Sequence, residues 1–362
     1  TAANGDTIQF KNVENLSVGG IVYTATGTAS GGYNIVNGYV NTSERTLYLY
    51  PGTNATTASF NSAHQFEQAF GTKTSCITGD YTIVGSTGVE TLNLNISNRT
   101  GSSTSECFTG GWIIDLKSGN DVINSAKLIN ADSIDLGAGD DSISVMFGAD
   151  AGGVQTFANA NITKLDGGAG NDTLKFDESA NTSGSLSLTT ANATDFENIV
   201  GSPGAETITG DANDNFIVGG NYSSSDSVND ILNGAAGDDT IYGGGGVDQL
   251  FGGTGSDVFK FTSASDTGIG EGARDVIHDF DAGAYSTSID KIDLTDFASS
   301  DFAFIGSADF VTDGSLSQVR VTSNAGGSLI QIDSDADATV DAEIELAGFD
   351  GAGLDQNDFQ VG

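Results

Sequence analysis

The sequence predicts an all-β protein built around a parallel β-roll, a solenoid whose successive strands stack in register. Nine-residue units of the form Gly-Gly-x-Gly-x-Asp-x-U-x, where U is a large apolar residue, follow one another without a gap at 234–242, 243–251 and 252–260. The chain has 51 glycines but only 2 prolines. Elsewhere apolar and polar positions alternate between Gly, Asn and Thr turns, and this alternation is typical of strands.

Each unit divides into a six-residue loop and a three-residue strand. The glycines permit left-handed backbone in the loop, and the central strand residue faces the core. Two units make one coil, so loops on the same side recur every eighteen residues. We therefore expect Asp239 to stack on Asp257 and Asp230 on Asp248. The expected core residues, one per unit, are Ile208, Ile217, Leu232, Ile241, Leu250 and Phe259.

Stacked aspartates and loop carbonyls offer the all-oxygen shell that Ca²⁺ prefers. One buried apolar residue per unit contributes roughly 2–3 kcal/mol, whereas ordering nine backbones costs roughly 9–18 kcal/mol before hydrogen bonds. We therefore expect this segment to be disordered without Ca²⁺ and folded with several ions. The predicted metal-site residues are Asp121, Asp141, Gly167, Gly168, Gly170, Asp172, Asp230, Gly234, Asp239, Gly243, Gly244, Gly246, Asp248, Gly252, Gly253, Gly255 and Asp257.

Less regular units flank the tandem copies. Compared with the nine-residue pattern, the segment 116–124 is degenerate, 136–144 is nearly complete and 167–175 is perfect. Between them, half-turns carry strands without good calcium loops. The units at 201–209 and 210–218 keep the register but have Glu206 and Asn215 where the metal-binding aspartate would stand.

These units are identified as the nonapeptide repeat of RTX proteins, a repeat known to form a Ca²⁺-binding β-helix. A second recurrence, in which an acidic residue enters a strand, occurs at 12–18, 88–96 and 195–201. These phrases loosely resemble those of large secreted RTX proteins, including calcium-dependent S-layer proteins of Gram-negative bacteria. This resemblance implies an extracellular or cell-surface location in a Gram-negative bacterium.

The segment 250–362 resembles the C-terminal module of serralysin-type metalloproteases. The shared features keep their order: the strand Val258–Phe261, then Asp275-Val276-Ile277, then 290–294, then a closing Asp-rich strand pair. In that family the module caps the β-roll and carries the signal for type I secretion. The resemblance therefore implies the type I secretion machinery as a partner.

The charge is strongly acidic, with 49 acidic and 12 basic residues. Residues 1–120 have a net charge of −3, and residues 121–362 have −34. This balance excludes nucleic acid and anionic membranes as expected partners. No stretch is long or apolar enough to span a membrane. The chain begins at Thr1 without a signal-peptide pattern, and we expect it to be a mature fragment or the C-terminal part of a longer protein.

Three domains are predicted: a β-rich solenoid or sandwich at 1–110, the calcium-binding roll at 111–260, and the C-terminal cap with the secretion signal at 261–362. Within the first, phenylalanines at helical spacing predict a short helix at 59–70, capped by Ser59 or Asn61.

The isolated His64 in that helix is expected to be a surface or packed side chain. Cys76 and Cys107 are expected to form a disulfide in an exported protein, with two free thiols as the alternative. The acidic run 333–337 fits an exposed turn as well as another Ca²⁺ site.

We expect the chain not to be catalytic. Its two histidines, His64 and His278, do not form the H-E-x-x-H motif of zinc proteases, and there is no G-x-S-x-G elbow or phosphate-binding loop. Two function classes remain. One is a secreted calcium-dependent structural protein of the S-layer, matrix or adhesin type. The other is the export and folding module of a secreted hydrolase. The first implies self-association into an oligomer or lattice, with cell-surface polysaccharide as a further candidate partner.

Overall fold

The computed structural model describes residues 15–18, 21–24, 34–36, 38–41, 46–49, 56–59, 80–94, 111–127, 132–146, 156–158, 162–176, 183–188, 193–220, 227–282, 289–297, 302–312, 316–351 and 353–361. Two compact units emerge from the contacts. The first contains 1–146 and 161–172, and the second contains 147–160 and 173–362. The predicted boundaries near 110 and 260 stay predictions.

Short strands make up the first unit, as expected from short apolar runs between turns. Numbered in chain order along the whole protein, they are β1 (Asn15–Val18), β2 (Ile21–Thr24), β3 (Asn34–Val36), β4 (Gly38–Asn41), β5 (Thr46–Leu49), β6 (Thr56–Ser59), β7 (Tyr81–Val84), β8 (Glu90–Asn93), β9 (Trp112–Asp115), β10 (Val122–Lys127), β11 (Ser133–Asp135), β12 (Ser142–Met146) and β14 (Lys164–Asp166).

The first unit changes from antiparallel to parallel pairing along the chain. Strands β1, β2, β4 and β5 pair antiparallel, and β3 pairs antiparallel with β6. From there two parallel stacks develop on alternating strands. One runs β5–β7–β9–β11–β14, and the other runs β6–β8–β10–β12. This alternation is the pattern of a solenoid with two strands per coil.

The second unit contains the remaining strands. These are β13 (Thr156–Ala158), β15 (Thr173–Phe176), β16 (Ser183–Ser187), β17 (Ala193–Thr194), β18 (Asn198–Val200), β19 (Glu206–Thr209), β20 (Phe216–Val218), β21 (Ile231–Ala236), β22 (Thr240–Tyr242), β23 (Gln249–Thr254), β24 (Val258–Lys260), β25 (Asp275–Ile277), β26 (Lys291–Asp293), β27 (Phe302–Phe304), β28 (Ser317–Asn324), β29 (Gly327–Asp333), β30 (Ala342–Ala347) and β31 (Phe359–Gln360).

Two parallel stacks again alternate in the second unit. One runs β13–β16–β19–β21–β23–β25–β30. The other runs β15–β18–β20–β22–β24–β26–β31. Strand β30 also pairs antiparallel with β29, and β29 with β28. The parallel roll therefore continues into an antiparallel sheet near the C-terminus.

The core follows the strand alternation. In the second unit the six predicted core residues, Ile208, Ile217, Leu232, Ile241, Leu250 and Phe259, are all fully buried. Equivalent residues in the first unit, such as Ile83, Leu92 and Ile143, are buried in the same way. Burying each such side chain contributes roughly 2–3 kcal/mol, so the stacked central residues supply one narrow core along each roll.

The C-terminal sheet is joined to the last coil by a buried ion cluster. Arg274, which is 7% exposed, lies 2.9 Å from Glu343 and 2.9 Å from Glu345 on β30. Glu343 also accepts from Gln331 on β29 at 2.7 Å and from the Gly270 amide at 2.8 Å. We call this group the Arg274 cluster. It fastens the loop before β25 to the antiparallel sheet.

The predicted fold class, an all-β parallel roll, is confirmed. Ser59, proposed as a helix cap, lies at the end of β6. The rest of the predicted helix, with His64, and both cysteines fall outside the described residues. Within the described part of the chain no helix is long and apolar enough to cross a membrane.

Candidate metal centre

In the first unit the sixth residues of successive loops stack into a chain of hydrogen bonds. Asp121, Asp141 and Asp172 are each at most 1% exposed. The Asp121 amide donates to Oδ1 of Asp141 at 2.6 Å, and the Asp141 amide donates to Oδ1 of Asp172 at 2.7 Å. The Glu90 amide donates to Oδ1 of Asp121 at 2.6 Å. We call the series Glu90–Asp121–Asp141–Asp172 the first ladder.

The second unit contains a similar series on one side of its roll. The Glu206 amide donates to Oδ1 of Asp230 at 2.7 Å. The Asp230 amide donates to Asp248 at 2.8 Å, and the Asp248 amide donates to Asp275 at 2.8 Å. This is the second ladder. Asp230 and Asp248 therefore stack at a separation of eighteen residues, as the repeat length predicts.

A third ladder also lies in the second unit. The Asn215 amide donates to Oδ1 of Asp239 at 2.7 Å, the Asp239 amide to Asp257 at 2.9 Å, and the Asp257 amide to Asp290 at 3.0 Å. Asp239 thus stacks on Asp257, again at the predicted separation of eighteen. The coil geometry holds each carboxylate at a fixed height along the roll.

Five ladder carboxylates use only one of their two oxygens in these bonds. The buried Oδ2 atoms of Asp121, Asp141, Asp239, Asp257 and Asp275 receive no hydrogen bond within the described structure. Burying an anionic oxygen without a donor or a cation is costly. These oxygens are therefore the ones that a metal ion would take.

Burial of the ladder aspartates raises the pKa values of their carboxyl groups. Burial, together with the negative charges of Glu90 and Asp141, raises the pKa of Asp121 to about 8. Burial likewise raises the pKa of Asp239 to about 7, of Asp290 to about 7 and of Asp141 to about 6. Burial also raises the pKa of Asp275 well above its usual range. Near neutral pH the ladders thus favour a neutralising partner, either protons or a cation.

Comparison with known proteins identifies the loops. The family model of the RTX calcium-binding nonapeptide repeat matches four segments, at 130–151, 164–182, 195–221 and 225–259. This chain carries RTX calcium-binding repeats. No curated protein sequence matches it. Among solved structures, a subunit of the mannuronan C5-epimerase of Azotobacter vinelandii is 24% identical with a TM-score of 0.32, over 43% of this chain and 77% of that chain.

RTX repeats bind Ca²⁺, and the predicted cofactor is confirmed. Ca²⁺ prefers six to eight oxygen ligands, and the ladders present buried carboxylate oxygens of this kind. The residues that would hold it are the position-six aspartates of the three ladders, and the ion would supply the positive charge that the buried carboxylates lack. Proteins with these repeats are typically secreted.

The first glycine of each RTX loop lies against the carboxylate at position six. A Cβ at Gly234, Gly243 or Gly252 would lie 2.1–2.3 Å from the Oδ2 atom of the aspartate in its own loop. Any larger residue would therefore displace that oxygen. The predicted role of these glycines in shaping the loop is consistent with this packing.

The second and fourth positions have left-handed backbone, as the sequence predicts. Position two of the perfect units has φ of +93° to +99° at Gly168, Gly244 and Gly253, and position four has +145° to +154° at Gly170, Gly246 and Gly255. At Gly255 a Cβ would lie 1.8 Å from the Gly237 carbonyl oxygen of the neighbouring coil. Glycine is required here for conformation and for close backbone approach alike.

Four acidic members of the ladders were absent from the predicted residues. Asp275 and Asp290 end the second and third ladders, although they follow the preceding aspartates by 27 and 33 residues rather than eighteen. Glu90 and Glu206 begin the first and second ladders. The sequence held a signal for Glu90, since residues 85–93 read GSTGVETLN, which has the nonapeptide form with Glu at position six.

Sequence reasoning also missed a second, exposed row at position five. The side chain of Asn120 accepts from the Asp140 amide at 3.1 Å, and Asp140 accepts from the Asn171 amide at 3.1 Å. In the second unit Asp238 accepts from the Ser256 amide at 2.8 Å. These bonds explain the recurrence of Asn and Asp at position five, because the side chain joins one loop to the next.

The acidic run near the C-terminus folds onto itself. Asp333 is buried and accepts from the Asp337 and Ala338 amides at 3.2 and 2.9 Å. Carboxylate oxygens of Asp333, Asp335 and Asp341 lie within 4.8 Å of one another. The loop's own amides bond to Asp333, and both interpretations of the run, an exposed turn and another Ca²⁺ site, stay predictions.

Proposed function

We propose that this chain is a secreted structural protein whose β-roll folds and stiffens outside the cell when Ca²⁺ binds. The observation that carries the proposal is the set of buried Oδ2 atoms along continuous carboxylate ladders. A roll of this kind is unfavourable without a cation, because buried carboxylates at successive heights repel one another.

Extracellular calcium concentrations match the affinity expected for such sites. Calcium sites of extracellular modules typically have Kd values of about 10⁻⁴–10⁻³ M, or about 4–5.5 kcal/mol per site. Several sites along the ladders then offset the ordering cost of the loops in millimolar Ca²⁺ but not at cytosolic levels. The chain would therefore leave the cell unfolded and fold afterwards.

The structural role, in an S-layer or extracellular matrix, is supported by architecture and charge. Open strands at the end of a parallel stack can pair with another chain unless they are covered. Residues 1–120 have a net charge of only −3, against −34 for the remainder. Self-contact through the weakly charged N-terminal region is therefore less opposed by repulsion than contact through the rolls, where Ca²⁺ would neutralise the ladders.

The test measures folding and assembly together. Far-UV circular dichroism and light scattering of the full chain are recorded in several millimolar Ca²⁺ and then after addition of EGTA. We expect β structure and oligomers in Ca²⁺ and the loss of both in EGTA. A β signal that is unchanged in EGTA would contradict calcium-dependent folding. A folded protein that stays monomeric at high concentration in Ca²⁺ would instead favour an export and folding module.

A further inference from the structure

Two ladders begin at loops with the same unusual sequence. Residues 85–91 read GSTGVET and residues 201–207 read GSPGAET, so both have Ser at position two and Glu at position six. The perfect calcium loops have Gly and Asp at these positions. The pattern G-S-x-G-x-E-T therefore marks a distinct class of loop, which we call the Ser–Glu loop.

Within each Ser–Glu loop the glutamate is held by its own serine. The Ser202 hydroxyl donates to Oε1 of Glu206 at 2.5 Å, and the Ser86 hydroxyl donates to Oε1 of Glu90. Each serine oxygen also accepts the amide of the glycine at position four, Gly204 or Gly88, at 3.1 Å. The four side chains are all at most 9% exposed. A hydroxyl thus occupies a carboxylate oxygen that a cation would otherwise take.

The backbone of the Ser–Glu loops differs from that of the calcium loops. In calcium loops position two is left-handed even where it is not glycine, as at Lys117 (φ 75°) and Ala235 (φ 81°). Neither Ser86 nor Ser202 has a positive φ, and neither do the glycines at position four of these loops. The amides and carbonyls of a Ser–Glu loop therefore point in other directions than those of a calcium loop.

The register shows that these loops stand at the ends of ladders. Glu90 is paired with Thr56 in the preceding coil, and Glu206 is paired with Gly184. Neither residue has a carboxylate. On its other side each glutamate donates its amide to the first aspartate of the ladder. The loop therefore orients the first aspartate without offering an open carboxylate of its own.

The third ladder begins in a comparable way with a different residue. Asn215 accepts the amide of Asp211 in its own loop at 2.9 Å and donates from Nδ2 to the Phe196 carbonyl at 3.1 Å. Its own amide donates to Asp239. Each of the three ladders thus starts at a side chain whose oxygen accepts a hydrogen bond from its own loop.

We propose that the Ser–Glu loops at 85–90 and 201–206 are calcium-free ends of the ladders, in which the serine hydroxyl replaces the ion as the partner of the carboxylate. They set where ion binding starts along each roll. The inference rests on the proposed calcium-dependent folding.

The direct test counts bound ions in the full chain by equilibrium dialysis against Ca²⁺. Glu90→Gln and Glu206→Gln keep an oxygen for the serine hydroxyl but remove the negative charge. We expect the number of bound ions to match the wild type. The matched control Asp121→Asn, in the first ladder, should lower affinity about tenfold or lose an ion, because it removes a proposed ligand.

A loss of ions in the Gln variants as large as in Asp121→Asn would overturn the inference while leaving calcium-dependent folding intact. A wild-type chain that binds no Ca²⁺ would instead refute the proposed function. If the Gln variants do not fold, the double variant Ser86→Gly/Glu90→Asp decides. It recreates the calcium-loop sequence, so about one additional ion per chain is expected, and an unchanged count would overturn the inference.

Discussion

At the scale of single residues, the decisive feature is the use of the two oxygens of each ladder aspartate. One oxygen accepts an amide of the neighbouring coil, and in five of these residues the other is buried without a donor. The aspartate therefore has a structural and a metal-binding role at once. Asparagine at the same place could keep the amide bond, as a side-chain oxygen remains, but would lose the charge.

This arrangement predicts how the calcium-free chain responds to pH. The folded-state pKa values of about 6 for Asp141, about 7 for Asp239 and about 8 for Asp121 lie above the ordinary value of 3.8. The folded state thus binds more protons than the unfolded state. Its stability is greatest in acid and is lost as the pH rises through these values.

We therefore expect metal-free protein, prepared on a chelating resin, to show more β structure at pH 5.5 than at pH 8.5 by circular dichroism. Protons would partly replace the ion as the neutralising partner. In millimolar Ca²⁺ the same signal should change little over this range. A metal-free signal that is constant or that increases toward pH 8.5 would contradict the raised pKa values of these aspartates.

At the scale of secondary-structure elements, the Arg274 cluster joins the antiparallel sheet to the roll. Arg274 follows directly on the loop that it helps to fix and precedes Asp275, the last member of the second ladder. The hydroxyl of Thr267 accepts the Asp275 amide at 2.9 Å and donates to the Glu343 carbonyl at 2.6 Å. The ladder end and the terminal sheet thus share one hydrogen-bond network.

Replacing Arg274 by Met should destabilise this junction strongly. The buried Glu343 and the partly exposed Glu345 would lose their cation, and breaking a buried ion pair typically costs about 3–5 kcal/mol. Limited proteolysis in Ca²⁺ should then cleave the segment 316–351 faster than in the wild type.

A matched control is Arg320→Met in the same sheet. Arg320 pairs at 3.1 Å with Asp309, whose side chain is fully exposed, and it also donates to Gln331 at 2.9 Å and lies over the Phe310 ring. Its replacement therefore removes arginine contacts without breaking a buried ion pair. Equal cleavage rates in the two variants would show that burial of the Arg274 cluster adds nothing.

The element scale also shows what sequence can and cannot predict. The tandem units fixed the stacking of Asp230 on Asp248 and of Asp239 on Asp257, because a constant period sets the register. Asp275 and Asp290 were not predicted as ladder members, because the loops before them are longer than one unit. Only the folded coil places their carboxylates at the next position along the ladders. Glu206 was recognised at position six of its unit, and the sequence of residues 85–93 held the same signal for Glu90. The contact between each glutamate and its serine could not be predicted, because it depends on packing within the folded loop.

At the scale of the whole molecule, the proposed function makes Ca²⁺ binding and folding one process. The rolls have one apolar residue per unit in the core, and in this proposal Ca²⁺ offsets the ordering cost of the loops. The type I secretion machinery, self-association and cell-surface polysaccharide remain predicted partners. An unfolded chain before Ca²⁺ binding is compatible with export through a narrow channel.

The separation of eighteen residues between stacked aspartates also governs which changes in length the protein tolerates. Deleting 234–251 removes two units, so Asp230 would meet Asp275 in the second ladder and Asn215 would meet Asp257 in the third. Deleting only 243–251 would send Asp257 to the opposite side of the roll. We expect the first deletion to keep calcium-dependent folding with fewer ions, measured by circular dichroism and dialysis.

The nine-residue deletion should fold poorly at the same Ca²⁺ concentration, because its downstream strands lose their partners. If the two shortened chains folded equally well, an aspartate loop could lie on either side of the roll without loss. If the difference is observed, units of the tandem segment 234–260 can be gained or lost only as multiples of a full coil, unless a longer loop restores the height as it does before Asp275 and Asp290. Natural variants would then differ by discrete steps, each changing the length of the roll by one strand spacing of about 4.8 Å.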